Sequence, residues 1–184
     1  TLSTDYMNTY KTDRIRNVVL LGSTKSGKTT LSEAMMFEGK VIDRRGTVEG
    51  KNTISDNTEV EQLNQRSIYS TALYTEFMNA KFNIMDSPGA ADFIGGMISS
   101  FKVCDAGILV VNATQGVEVG TEIFGRYASQ YKKPCIVAIN QLDHENADWE
   151  GTVESIRQSF GKNVVLVQFP VATGEKFNSF VDVL

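Results

Sequence analysis

The stretch Gly22-Ser-Thr-Lys-Ser-Gly27-Lys28-Thr29 decides the fold. It follows an apolar run at 17–21 (NVVLL) and opens a helix-like segment at 28–37, which is the strand–loop–helix context that the GxxxxGK[ST] pattern requires. The glycines let successive backbone N–H groups converge on phosphate oxygens, and the helix N-terminus adds partial positive charge. Gly22, Ser23, Thr24, Lys25, Ser26, Gly27, Lys28, Thr29 and Thr30 are therefore the candidate phosphate-binding residues. Lys28 is placed to reach the β- and γ-phosphates of a nucleotide, and the Thr29 hydroxyl to ligate Mg²⁺.

Outward from this loop the chain alternates. Further apolar runs of strand length stand at 81–85 (KFNIM), 106–111 (AGILVV) and 134–139 (PCIVAI), with helix-like segments at 92–103, 117–131 and 148–160. Runs without polar alternation suit strands buried on both faces, so the pattern predicts an α/β fold with a doubly wound, mostly parallel sheet and helices on both faces. Two segments break the rhythm. Residues 38–66 are long, polar and rich in Gly, Asn, Asp and Thr, which predicts a mobile functional loop, and 67–77 alternates like an edge strand. Residues 163–171 read as another strand, and 1–15 as a polar N-terminal arm preceding the domain at 16–184.

Composition narrows the function. The 184 residues are 41% hydrophobic and 22% charged, enough for one domain with a real core. Lys and Arg total 18 against 22 Asp and Glu, a net charge of −4 that argues against independent nucleic-acid binding. No run approaches the ~20 apolar residues of a membrane span, so no membrane partner is expected. Cys104 and Cys135 lie in apolar stretches without CxxC spacing and read as small buried hydrophobes of a reducing cytoplasm.

Two further motifs end predicted strands. Asp86-Ser-Pro-Gly89 closes the second, where an acid beside the phosphate loop can hold Mg²⁺ and Gly89 can offer its N–H to a γ-phosphate. Asn140-Gln141-Leu-Asp143 closes the fourth. A carboxylate at Asp143 can accept from guanine N1–H and the 2-amino group, which adenine cannot supply, and Asn140 can tie this loop to the phosphate loop. The expected ligands are GTP or GDP with Mg²⁺, and Asp143 disfavours an ATP-dependent kinase.

With these residues in place the chain resembles the translational GTPases, closest to elongation factor G and its paralogues. GSTKSGKTT at 22–30, SDNTEVEQ at 55–62, DSPGAADF at 86–93, VVNATQGVEVGTE at 110–122 and NQLDHENADW at 140–149 carry the resemblance. It implies a P-loop NTPase G domain, a cytoplasmic monomer, and action on the ribosome in translocation through the full-length protein. The tail at 169–184 is similar to the approach to the insert of elongation factor G, so the G domain is expected to be incomplete, with an SA-type base loop beyond residue 184.

The departures from the family are informative. A histidine that positions the attacking water follows DxPG in the family; here that place is Ala90, and no catalytic side chain is assigned. Losing such a group costs about 10²–10⁴ in rate, so hydrolysis is expected to be slow or absent. Ser67 stands where the family's switch I threonine ligates Mg²⁺, Gln141 replaces the NKxD lysine, and Lys25 replaces an acid. The alternatives are a competent GTPase whose water is positioned by Lys25, Arg66 or ribosomal RNA, and a ribosomal protection protein, although that group retains the histidine and the lysine.

Overall fold

The structure is a computed structural model that describes residues 9–161 and 164–183. A five-stranded sheet runs in the order β2-β3-β1-β4-β5, from β1 (Ile15–Leu21), β2 (Thr71–Phe77), β3 (Ala80–Asp86), β4 (Ala106–Asn112) and β5 (Cys135–Asn140). All neighbours are parallel except β2, which pairs antiparallel with β3 through the two-residue turn Met78-Asn79. Both turn residues have positive φ (48° and 58°), the backbone of a type I′ hairpin whose twist matches its strands.

The uninterrupted apolar run of β1 is explained by its central place. Val19, Leu20 and Leu21 are at most 2% exposed, and successive residues serve opposite faces. Leu20 packs with Met36 of α1 (Lys28–Glu38), Leu73 and Ile84. Val19 and Leu21 pack with Met97 and Phe101 of α3 (Ile94–Val103), Phe124 of α4 (Val119–Gln130) and Ile156 of α5 (Trp149–Phe160). Helices thus cover both faces, as the sequence predicts.

Away from the functional edge, two polar devices hold the layers. Asn17 donates its backbone and side-chain N–H to Asp105 Oδ2 at 3.0 and 2.9 Å and accepts from Asn83 at 2.8 Å, which ties β1, β3 and the start of β4 together. Lys133 Nζ donates to the carbonyls of Phe101, Lys102 and Cys104, placing a cation on the carbonyl end of α3.

Two expectations need correction. The run at 163–171 does not join the main sheet: Asn163 lies outside the described residues, and only β6 (Gln168–Pro170) forms, paired antiparallel with β7 (Phe180–Asp182) in a separate hairpin. Cys135 is not buried. It starts β5, which has a neighbour on only one side among the described residues; the residue is exposed, as is Ile136 at 63%, although the sulfur itself lies beside Gly107 and burial raises its pKa. Cys104 is buried as expected, and burial pushes its thiol up to about 11.

The register places the chemistry. Leu20 lies opposite Asp86, Leu21 opposite Leu109, and Asn112 opposite Asn140. The loops after β1, β3, β4 and β5 therefore open on one edge of the sheet. β1 leads into α1 on one face and β3 into α3 on the other, so this is the edge and switch point where open α/β sheets bind ligands.

Candidate functional site

The phosphate loop is wrapped around its own lysine. Lys28 Nζ donates to the carbonyls of Gly22 and Ser23 at 2.9 and 2.8 Å, and the side chain is 6% exposed. Burial lowers its pKa to about 8, against the opposing pull of Asp86, Asp56 and Glu118. Gly27 enters α1 with φ 94°, a left-handed conformation that favours glycine, and the first turn of α1 holds no acid. Its N-terminal N–H groups and dipole are free to face an anion. Gly89 is pressed against this loop: a Cβ there would lie 2.7 Å from both Ser23 C and Thr24 N and closer still to Lys28 Nζ. Only glycine permits that approach.

Beside the lysine, two hydroxyls and two carboxylates meet. Thr29 Oγ1 donates to Asp86 Oδ2 at 2.9 Å and lies 3.2 Å from Ser67 Oγ. Ser32 Oγ adds a longer bond to Asp86 Oδ2 at 3.4 Å. Thr29, Asp86 and Ser67, the three expected metal ligands, are thus together. A further carboxylate, Asp56, which sequence reading missed, lies close to them. Asp56 is 4% exposed; among the described residues neither of its oxygens nor Asp86 Oδ1 has a partner at hydrogen-bond geometry, although the Ser67 hydroxyl lies near enough to Asp56 to pull its pKa down. Burial pushes both carboxyls above their ordinary range, with mutual repulsion added at Asp56. Buried carboxylate oxygens with open acceptor capacity, beside the Thr29 and Ser67 hydroxyls, fit a hard divalent cation that takes oxygen ligands. Asp56 lies within the SDNTEVEQ stretch, whose one signal was an acid eleven positions ahead of the Ser67 hydroxyl.

The segment 38–66, expected to be a mobile loop, is held down by two buried acids. Glu33 of α1 is 1% exposed and accepts from the N–H groups of Gly46 and Ile54 at 2.7 and 2.6 Å. Glu61, also 1% exposed, lies in α2 (Glu59–Asn64), a short helix that the sequence reading did not predict. Thr58 and Glu61 form a reciprocal capping box, and Glu61 also accepts from Ile68 and Tyr69 N–H at 3.0 and 3.1 Å. Burial pushes the Glu61 carboxyl up, but its donors from Thr58, Ile68 and Tyr69 outweigh burial and leave it below the usual range. The chain just beyond Ser67 is thereby fixed.

The base loop is joined to the phosphate loop by two amides. Asn140 Nδ2 donates to Ser26 O at 3.0 Å, the link expected from sequence, and Gln141 Nε2 donates to Lys25 O at 3.0 Å. Lys25 and Gln141 both adopt positive φ, 65° and 60°. A cavity of about 550 Å³, within the usual range for small-molecule sites, lies along these loops. Thr24, Lys25, Gly27, Lys28, Thr29 and Thr30 line one part of it, and Ser67, Gly89, Asp56 and Gln141 are among the residues of the rest of the wall. Asp143 is not on this wall: it is exposed and lines the neighbouring apolar cavity beside Trp149. Ala90 is half-buried and bears only a methyl group; its carbonyl accepts from Phe93 N–H at 3.0 Å.

The chain matches the Elongation factor Tu GTP binding domain family over residues 13–184. It belongs to that family. Within it, the chain is 33% identical over 92% of its length to elongation factor G of Mycoplasma genitalium. It is 34% identical over 87% of its length to an elongation factor G-like protein of Mycobacterium tuberculosis. A crystal structure of a Thermus thermophilus protein superposes with a TM-score of 0.87 and 31% identity, covering 92% of this chain and 26% of that one. The chain spans about a quarter of the length of the curated relatives it matches, 25% and 22% in these two cases. Membership in this family of GTP-binding domains implies that the chain binds a guanine nucleotide.

Proposed function

We propose that this chain is the GTP-binding part of an elongation factor G-like protein that acts on the ribosome in the cytoplasm, as a monomer, and hydrolyses GTP slowly. The observation that carries the reading is the junction of three motif loops at one sheet edge. Lys28 is set in the phosphate loop, Gly89 is packed against it, and Asn140 is bonded to Ser26.

Each group has a role of its own. Lys28, already desolvated and oriented, binds phosphate oxygens without rearrangement. Thr29, Ser67, Asp86 and Asp56 would hold Mg²⁺, which when bound neutralises charge between the β- and γ-phosphates. Gln141 bonds the base loop to Lys25, and Asp143, which ends the same loop but lies off the cavity wall, turns to the base edge on binding and discriminates guanine from adenine. Ala90 offers nothing to orient water, and this supports slow turnover in which GTP chiefly gates docking and release of the factor. Translocation is favoured over ribosomal protection because the relatives it matches at 33–34% identity are elongation factor G and an elongation factor G-like protein; Ala90 and Gln141 depart from both groups alike.

Titration of the full-length protein with fluorescent GDP and ADP in Mg²⁺ tests the reading. The account expects a strong guanine preference that Asp143→Ala lowers by about 100-fold, the worth of a charged hydrogen-bond pair. Equal affinity for GDP and ADP in the wild type would refute it.

A further inference from the structure

Arg66 precedes the metal-side hydroxyl of Ser67 and lines the same cavity as Thr24, Lys28 and Gly89. Its backbone is fixed, because its N–H donates to Glu61 O at 3.3 Å just past the left-handed cap of α2 at Gln65. Its guanidinium lies 6.0 Å over the ring of Phe93, three residues beyond Ala90. One side chain thus spans the two segments that flank the end of the phosphate loop, the one carrying Ser67 and the one carrying Gly89.

The charge of Arg66 is uncommitted. Asp56 and Glu49 line the same cavity, yet among the described residues no carboxylate comes within ion-pair distance of the guanidinium. The half-buried Phe93 ring supports one face of the guanidinium and leaves its N–H edge available. A planar fork of donors in that position suits the paired oxygens of a phosphate better than a point charge does.

We propose that Arg66 is a γ-phosphate contact, a specificity-determining residue that favours the triphosphate over the diphosphate and clamps the segments of Ser67 and Gly89 together when it binds. The assignment rests on the guanine-nucleotide reading above and deepens it. It gives the chain a cationic means of sensing the γ-phosphate that does not depend on a histidine at position 90.

The test compares affinities of the full-length protein for GDP and for a β,γ-imido GTP analogue, in wild type, Arg66→Ala and Arg66→Lys. The expected result is a loss of about 10- to 100-fold for the analogue in Arg66→Ala, with GDP changed less than about threefold. Arg66→Lys should recover part of the loss, since it keeps the charge without the fork. Equal losses for both nucleotides would show a merely structural or general electrostatic role and overturn the assignment, as would no change in either. Wild-type protein that binds guanine nucleotides no better than adenine nucleotides would overturn the nucleotide reading itself, and the assignment with it, and is thereby told apart from a failure of Arg66 alone.

Discussion

Removal of the Glu61 carboxylate should free the segment that presents Arg66 and Ser67. Glu61 is 1% exposed and accepts four bonds: Thr58 Oγ1 at 2.6 Å, Thr58 N at 3.3 Å, Ile68 N at 3.0 Å and Tyr69 N at 3.1 Å. In Glu61→Ala the Thr58 hydroxyl can rotate to a new partner, but three backbone N–H groups lose their acceptor. At about 1–3 kcal/mol per unsatisfied buried donor the penalty exceeds what a surface segment can bear, so residues 58–69 open to water instead of staying strained. The local stability lost is then about 3 kcal/mol, or roughly 100-fold in amide protection. Glu61→Gln behaves differently. Its remaining oxygen can still serve Ile68 and Tyr69, and only the Thr58 N–H is left facing a donor, which costs about 1 kcal/mol, or roughly fivefold. Hydrogen exchange followed by mass spectrometry on the full-length protein reads both values by segment. Equal effects of the two substitutions, or protection lost evenly across the domain, would refute the view that this carboxylate holds the segment by its specific bonds.

Three other outcomes follow from the same geometry. Gly89→Ala should displace the phosphate loop at Ser23 and Thr24, at a cost of about 1–3 kcal/mol, and weaken nucleotide binding by tenfold or more in calorimetric titration. Lys133→Met should strip the carbonyl end of α3 of its cation and lower unfolding stability by about 2 kcal/mol in a urea melt, with nucleotide affinity unaffected. Because the folded Glu61 carboxyl lies below its ordinary 4.5, its contribution is present above that pH and disappears as pH falls through the folded value; exchange protection of 58–69 should therefore fail on acidification in wild type but not further in Glu61→Gln.

The strands and the phosphate loop were legible because each rests on a local rule. The run NVVLL is apolar throughout since β1 is covered on both faces, and GSTKSGKT carries its own strand-to-helix context. The link from Asn140 to Ser26 was legible as well, because both motifs end strands of one parallel sheet and so open on the same edge, although β4 stands between their strands. What stayed hidden depends on partners far along the chain. Nothing local marks Glu33 as the acceptor for Gly46 and Ile54, or Asp56 as a neighbour of Asp86. The six residues of α2 are too few for a helical period to show, although Thr58 and Glu61 carry the spacing of a capping box. Residues 163–171 are apolar enough for a strand, but composition does not say which strand pairs with them, and Cys135 read as buried for the same reason.

The most direct test of the account is GTP turnover by the full-length protein, with and without ribosomes, beside an Ala90→His variant. The account predicts slow wild-type turnover, on the order of 10⁻⁴ per second without ribosomes and little faster with them, and a rise of about 100-fold or more when histidine is supplied. Rapid wild-type turnover on ribosomes, unchanged by the histidine, would contradict it.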